Sequence, residues 1–157
     1  MLKGMNHIEW DIKTFQELES WQLFDLLQLR VDVFVVEQEC AYRELDEYDC
    51  HPETRHLSGR NEAGNLLAYA RLLPPGLRYP EVNLGRFVVR ADSRKKGLGH
   101  QLLQTALQEI SRCWPQAPIR ISAQDYLQKF YETYGFVRVS EVYLEDGIPH
   151  VEMVKEF

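Results

Sequence analysis

The chain has 157 residues, 45% of them hydrophobic and 27% charged, which is typical of a folded globular protein rather than a disordered one. This length predicts one domain over residues 1–157, with enough buried surface to fold without a disulfide or a metal. The formal net charge of −6 disfavours nucleic acid as a partner, and no apolar run is long enough to favour a membrane partner.

The cysteines and the N-terminus both favour a cytoplasmic protein. The three cysteines form no CxxC pair, and their odd number argues against a disulfide framework and for a reducing compartment. The first residues lack the apolar core of a secretory signal, and Met5 is a second candidate start. We therefore expect cytoplasmic localisation.

The N-terminal part predicts a strand followed by a helix. Residues 7–13 alternate polar and apolar side chains, as a strand does. Residues 20–36 place apolar side chains at helical spacing, and Ser20 is the predicted N-cap. Residues 37–55, which we call the acidic loop, predict no regular element.

The central part predicts three strands and a long helix. Residues 56–60 and 66–73 flank a turn rich in Asn and Gly, which indicates a β-hairpin. The apolar run at 82–89 predicts a buried strand, and residues 98–114 form an amphipathic helix that Pro115 ends.

The C-terminal part predicts a strand, a helix and two further strands. These are residues 119–123, a helix at 126–134 closed by Gly135, and strands at 137–142 and 150–154. Alternation of this kind predicts an α/β fold, in which a mixed sheet carries helices on both faces.

A basic loop with the sequence RKKGLG, residues 94–99, joins the predicted strand at 82–89 to the following helix. The first N–H groups of a helix lack intrahelical partners and attract anions, and Gly97 and Gly99 let the backbone approach one closely. The spacing fits neither a P-loop nor a dinucleotide fingerprint. On its own, this loop is as compatible with a solvated turn as with a phosphate site.

A second motif resolves that ambiguity: Phe130-Tyr131-x-x-x-Gly135-Phe136 follows a short predicted strand. Together, the two motifs resemble those of the GNAT N-acetyltransferase superfamily. Further strings extend the resemblance to the ElaA-like branch of that family over nearly the full length: LRxxVFVVEQ at 29–38, AYAR at 68–71, GR at 85–86 and EDGIPH at 145–150.

The resemblance implies a GNAT fold, with a mixed, mostly antiparallel central sheet and a splay between its two central parallel strands. It also implies acetyl-CoA as co-substrate and no metal. The pyrophosphate of acetyl-CoA is implied to bind the basic loop, and its pantetheine arm to lie along the strand at residues 87–89. An N–H of Val88 or Val89 is implied to polarise the thioester carbonyl. Gln124 stands where many members carry an asparagine. The implied cofactor-binding residues are Phe87, Val88, Val89, Arg94, Lys95, Lys96, Gly97, Leu98, Gly99, Gln124 and Phe130.

Tyr131 matches the family's tyrosine that protonates the departing thiolate, and core packing is the alternative role. An acceptor ammonium with a pKa of about 10.4 must also lose a proton before it can attack. Glu37 and His150 are the catalytic candidates on the acceptor side. Other candidate bases, each of them more often structural, are Asp46, Asp49 and His56.

The implied function is transfer of an acetyl group from acetyl-CoA to a primary amine, by direct attack in a ternary complex. The acceptor classes are small amines, amino-acid derivatives and peptide amines. A longer acyl-CoA donor and a non-catalytic acyl-CoA sensor are the alternatives. We expect Arg30, Arg71 and Arg86 to pair with carboxylates of the acidic loop, and an exposed C-terminal edge strand would permit a homodimer.

Overall fold

A computed structural model describes residues 7–157, so the candidate start at Met5 lies outside the described residues. Within these residues there are three α-helices: Ser20–Val31 (α1), Leu98–Cys113 (α2) and Gln128–Glu132 (α3). The strands are Glu9–Lys13 (β1), Arg55–Arg60 (β2), Leu66–Leu73 (β3), Val82–Val89 (β4), Ile119–Gln124 (β5), Val137–Arg138 (β6), Tyr143–Glu145 (β7) and Ile148–Lys155 (β8). In the part of the chain described, no helix combines the length and apolar character needed to cross a membrane.

The strands form one mixed sheet in the order β1-β2-β3-β4-β5-β8-β6, and β7 pairs with β8. All neighbours are antiparallel except β4 and β5, which run parallel. Their pairing is limited to Val82 with Ile119 and Asn83 with Arg120, after which the two strands diverge. This confirms the predicted splay. The rest of β4 therefore presents backbone groups toward the gap that no strand pairs.

Helices cover both faces of the sheet, as predicted. On one face, Leu102 and Leu103 of α2 pack in a core cluster with Val82 and Leu84 of β4. On the other face, α1 packs against β3 and β4, where Leu26 and Leu29 form a core cluster with Tyr69 and Val88. The splay therefore lies in the middle of the sheet, between two helical layers.

A β-bulge interrupts β4 in the half that has diverged from β5. Tyr69 pairs with Val88 and Arg71 with Gly85, so Arg86 and Phe87 together stand opposite the single residue Ala70. Arg86 has a φ of 47°, a left-handed conformation that costs free energy for a side chain of this size. The sequence predicted one regular strand here and missed the bulge.

The first predicted helix is found, but its ends differ. Glu19, not Ser20, is the N-cap, and its backbone N–H donates to the Gln22 side chain at 2.9 Å. The α-helical part ends at Val31, and Asp32–Glu37 continues as a wider π-helical turn. Such turns are rare and are often found at functional sites, and the apolar spacing does not distinguish them from an α-helix.

The C-terminal region is also more divided than predicted. The helix expected at 126–134 consists of a 3₁₀ turn, Asp125–Leu127, followed by α3. Gly135 ends it with a φ of 92°, in the left-handed conformation expected of a residue at that position. Of the strand expected at 137–142, only β6 is found; β7 follows it as a separate strand that the sequence did not predict. Asp146 and Gly147 form the tight turn between β7 and β8.

Candidate active site

A cleft of about 690 Å³ opens at the splay between β4 and β5. The basic loop, the start of α3, the acidic loop and the β7–β8 turn surround it. Most of the residues that the sequence singled out line this cleft: Glu37, Phe87, Val88, Val89, Arg94, Lys95, Gly99, Gln124, Phe130, Tyr131 and His150.

Three residues of the basic loop do not line the cleft. The side chain of Leu98 is 6% exposed and packs in the core, so only its backbone could contact a ligand. Lys96 and Gly97 are exposed beyond the lining. Gly97 precedes α2 with a φ of 78°, and a Cβ placed there would meet no atom within 4 Å.

The basic loop carries one paired and two unpaired cations. The Arg94 Nη2 atom lies 2.8 Å from Glu37 Oε2, and its Nε donates to the Val89 carbonyl at 3.0 Å. Within residues 7–157, Lys95 and Lys96 form no ion pair. Glu37 therefore connects the end of the first helix to the basic loop.

Tyr131 combines the two roles considered for it, because it packs in the core and also lines the cleft. Its ring lies 5.1 Å from that of Phe130 and 5.7 Å from that of Phe136. Only 5% of the residue is exposed, and burial raises the pKa of its hydroxyl. The group is therefore protonated at neutral pH and able to donate a proton.

His150 is held in one tautomer by the backbone. Its Nδ1 lies 2.7 Å from the Ile148 carbonyl oxygen, which can only accept, so Nδ1 carries the hydrogen. Its Nε2 lies 3.4 Å from Glu145 Oε2, and the ring stacks on Tyr143. With the hydrogen on Nδ1, Nε2 is the ring nitrogen that can accept a proton, and Glu145 would then form an ion pair with the imidazolium.

Glu145, Ser122 and Tyr143 adjoin His150, and no sequence motif predicted a role for any of them. Ser122 Oγ hydrogen-bonds the Tyr143 hydroxyl and lies 3.4 Å from Glu145 Oε2. Period-two alternation in β5 was the available signal, because Ile121 and Ala123 enter the core and Ser122 must face the other way. The pairing of β7 with β8 then brings Tyr143 beside His150.

The acidic loop is held by buried arginines, as expected. Arg30 contacts Asp49 at 2.8 Å and Glu44 at 3.2 Å. Arg71 contacts Asp46 at 2.7 Å and Asp49 at 2.9 Å, and Arg86 contacts Glu44 at 2.6 Å.

These contacts decide the charge state of Asp49. Burial alone would raise the pKa of Asp49, but hydrogen bonding and charge from Arg30, together with the charge of Arg71, hold that pKa below its ordinary value. Asp46 and Asp49 are therefore engaged in ion pairs, which makes them poor candidates for a catalytic base.

His56 is a core histidine rather than a cleft residue. Its Nε2–H donates to the Asp49 carbonyl at 2.9 Å, and its Nδ1 accepts from the Tyr69 hydroxyl at 2.6 Å. Burial lowers the pKa of His56 to about 4, so the ring is neutral near pH 7. Both ring nitrogens are occupied, and neither faces the cleft.

The described residues contain three free cysteines, of which Cys40 is buried and donates from Sγ to the Asp146 carbonyl at 3.3 Å. Across the same residues, no group of three or more His, Cys, Asp or Glu side chains could hold a metal ion.

Comparison with known proteins agrees with this geometry. A family model described as an acetyltransferase (GNAT) domain matches residues 25–157. The protein ElaA of Escherichia coli K12 is 43% identical over 150 residues, which cover 95% of this chain and 97% of that protein.

Solved structures agree as well. An acyl-CoA N-acyltransferase from Pseudomonas aeruginosa superimposes with a TM-score of 0.91 at 47% identity, covering 95% of this chain and 99% of the other. The crystal structure of E. coli ElaA gives a TM-score of 0.90 at 41% identity, covering 96% and 100%. The chain therefore belongs to the GNAT acetyltransferase family, in its ElaA-like branch, and is an N-acetyltransferase enzyme.

Proposed function

We propose that the enzyme transfers an acetyl group from acetyl-CoA to a primary amine by direct attack in a ternary complex. One observation carries the proposal: the splay between β4 and β5 opens beside the basic loop into the cleft that contains Tyr131 and His150. A thioester held in the splay would thus lie near both a proton donor and a proton acceptor.

The donor half of the cleft fits an acyl-CoA. The unpaired backbone of β4 offers N–H and C=O groups to an amide-containing pantetheine arm. The pyrophosphate would meet the N–H groups at the start of α2, together with Arg94 and Lys95. We assign the oxyanion role to the N–H of Val88 or Val89.

In the reaction the acceptor nitrogen loses two protons and the departing sulfur gains one. A primary ammonium with a pKa of about 10.4 costs roughly 4 to 5 kcal/mol to deprotonate at pH 7, and we assign that proton to His150 Nε2. The amine nitrogen then bonds to the thioester carbon, and the C–S bond breaks as Tyr131 gives its proton to the departing sulfur. The second proton, which the nitrogen loses as the amide forms, returns Tyr131 to its neutral form. We assign Glu37 to the ion pair with Arg94, 2.8 Å away, rather than to the proton transfer.

The proposal also specifies the length of the acyl chain that the enzyme transfers. Phe34 and Phe87 both line the cleft, so their rings are the candidates to limit the donor. We expect acetyl-CoA to be used faster than hexanoyl-CoA, and a Phe34→Ala variant to narrow that difference. Faster turnover of hexanoyl-CoA by the unmodified enzyme would contradict the assignment of acetyl as the donor group.

The decisive experiment measures release of free CoA thiol from acetyl-CoA across a panel of small amines, amino-acid derivatives and peptide amines. We expect thiol release that depends on the amine, with the acetylated amine formed in equal amount. Tight calorimetric binding of acetyl-CoA without release for any amine would instead favour a role in acyl-CoA sensing.

A further inference from the structure

Asn83 is a buried polar residue at the apex of the splay whose function the family resemblance does not address. It belongs to the last paired position between β4 and β5, is 3% exposed and lines the cleft. Its Nδ2 donates to the Arg120 carbonyl at 3.0 Å, which fixes the orientation of the amide. In the described chain, its Oδ1 has no hydrogen-bond partner. A buried acceptor of this kind is costly unless a ligand or water donates to it.

The sheet face beside Asn83 has the same excess of hydrogen-bond acceptors. Ser122 shares one hydrogen bond with Tyr143, and Glu145 Oε2 lies 3.4 Å from both Ser122 Oγ and His150 Nε2. Among residues 7–157, no lysine or arginine pairs with Glu145. We call Asn83, Ser122, Glu145 and His150 the polar strip. A primary ammonium, with three N–H donors and a positive charge, complements such a strip.

The exposed rim of the same cleft carries cationic hydrogen-bond donors instead of acceptors. Arg43 and Arg78 both line the cleft and are exposed. Neither forms an ion pair in the chain as described, whereas Arg86 and Arg94 are engaged by Glu44 at 2.6 Å and Glu37 at 2.8 Å. Arg78 lies over the ring of Tyr79, 5.4 Å from its centroid.

Unpaired guanidinium groups at a cleft favour an anionic ligand group, because the planar fork matches a carboxylate or a phosphate. The protein as a whole carries a net charge of −6, so these arginines are not part of a generally basic surface. The cleft therefore offers acceptors for an ammonium on the polar strip and donors for an anion at the rim.

We propose that the acceptor substrate carries both charges: a primary amine that the polar strip binds and an anionic group that Arg43 and Arg78 bind. This inference rests on the proposed function and adds a substrate class to it. It predicts that amino acids or aminoalkyl phosphates are acetylated in preference to neutral amines of similar size.

The test compares matched acceptors in the CoA-thiol assay: an ω-amino acid, its carboxamide and the aminoalkyl phosphate of similar length. We expect kcat/KM for the carboxamide to be at least about tenfold lower than for the better of the two anionic acceptors, in line with the loss of charge-assisted hydrogen bonds. The ratio between the acid and the phosphate identifies which anion the site prefers.

Substitutions test the amine-binding end and the anion-binding end of the site separately. Arg43→Gln and Arg78→Gln should raise KM for the anionic acceptor about tenfold and leave the carboxamide unchanged. Glu145→Gln should weaken both, because both carry the amine. Arg112→Gln removes an arginine of α2 that lies outside the cleft and pairs with Glu109, so it is the matched control.

The inference would be overturned if the enzyme used the anionic acceptors and the carboxamide equally well, or if KM were unchanged in both arginine variants. Turnover that depends on the amine would still support the proposed function in that case. If no amine gave turnover although acetyl-CoA still bound, both the inference and the proposed function would be contradicted.

Discussion

The basic loop and the acidic loop both border the cleft and both carry dense charge, but their charges lie in opposite environments. Lys95, Lys96 and Gly97 of the basic loop are exposed, and its lysines have no counter-charge in the described chain. Glu44 and Asp49 of the acidic loop are buried and held by arginines from two strands and a helix.

The comparison shows that charge density does not distinguish a binding loop from a structural one. Burying a charge without a partner costs several kcal/mol, so the acidic loop must have its arginines before it can fold against the sheet. Solvated lysines meet no such requirement, and they remain available to a ligand. Whether each charge already has a partner is therefore the better guide to function.

The largest effect is expected at Gly97, where the basic loop depends on backbone conformation. Gly97→Val places a β-branched residue at a φ of 78°, which it cannot adopt without strain, so the N–H groups of α2 will shift away from the anion. We expect about 100-fold weaker acetyl-CoA binding by calorimetry. Gly64→Val is the control, because Gly64 has a φ of 86° and open space but lies outside the cleft. Equal loss in both variants would contradict the role of this loop.

The next largest effect is expected at Tyr131, and it tests whether a buried hydroxyl that hydrogen-bonds no side chain in the described chain can act in catalysis. Tyr131→Phe removes a hydroxyl that hydrogen-bonds no side chain in the described chain, and we expect kcat to fall about 10- to 100-fold with KM for acetyl-CoA nearly unchanged. The loss is moderate because a thiol is a good leaving group. Tyr134→Phe is the control, since its hydroxyl bonds His100 at 2.8 Å outside the cleft. If both variants lose the same activity, the hydroxyl of Tyr131 is not the acid.

A third prediction concerns the structural role of the acidic loop. His56 has a folded pKa of about 4, below the ordinary value of 6.5, so the unfolded chain binds more protons between these values. Its contribution to stability is present above pH 6.5 and is lost as the pH falls toward 4. We expect the free energy of unfolding in urea to fall by about 2 kcal/mol between pH 7.5 and 5.

A His56→Gln variant is expected to be less stable at pH 7.5 and to lose most of this pH dependence. His100→Gln removes a histidine outside the network and should retain it. A flat pH profile in the unmodified protein would show that His56 is not buried in its neutral form.

The smallest effect is expected at the ion pair that joins the two loops. Glu37→Gln frees Arg94 for the pyrophosphate, and exposed pairs contribute about 0.2 to 1 kcal/mol, so we expect KM for acetyl-CoA to fall about two- to threefold at low salt. Asp92→Asn, which releases Arg90 outside the cleft, should leave KM unchanged. A tenfold fall in kcat for Glu37→Gln would instead place Glu37 in the proton transfer.

Short motifs predicted several residues that do line the cleft, and their role in binding the donor stays a prediction. The basic loop, the strand before it and Tyr131 lie within short motifs, so the sequence was enough to predict where they meet the cleft. The acceptor half was harder because it is built from distant segments: Ser122 meets Tyr143 and Glu145 only after β7 folds onto β8. Opposite charges predicted that Arg71 would pair with the acidic loop, but only the folded chain determines that its partners are Asp46 and Asp49.

The bulge at Arg86 and Phe87 has a consequence for how this strand can change. Before the bulge, Val82 and Leu84 point into the core beneath α2; after it, Phe87 and Val89 contact that core, and Val88 turns to α1. The extra residue thus shifts the phase of the strand by one. If the same residues paired with β3 without a bulge, the two faces of the second half would exchange, bringing Val88 toward α2 and reversing the side chains that line the cleft. Deleting one of the two bulge residues, Arg86 or Phe87, would remove the extra residue instead, so it should keep Val88 toward α1 and restore regular pairing with β3.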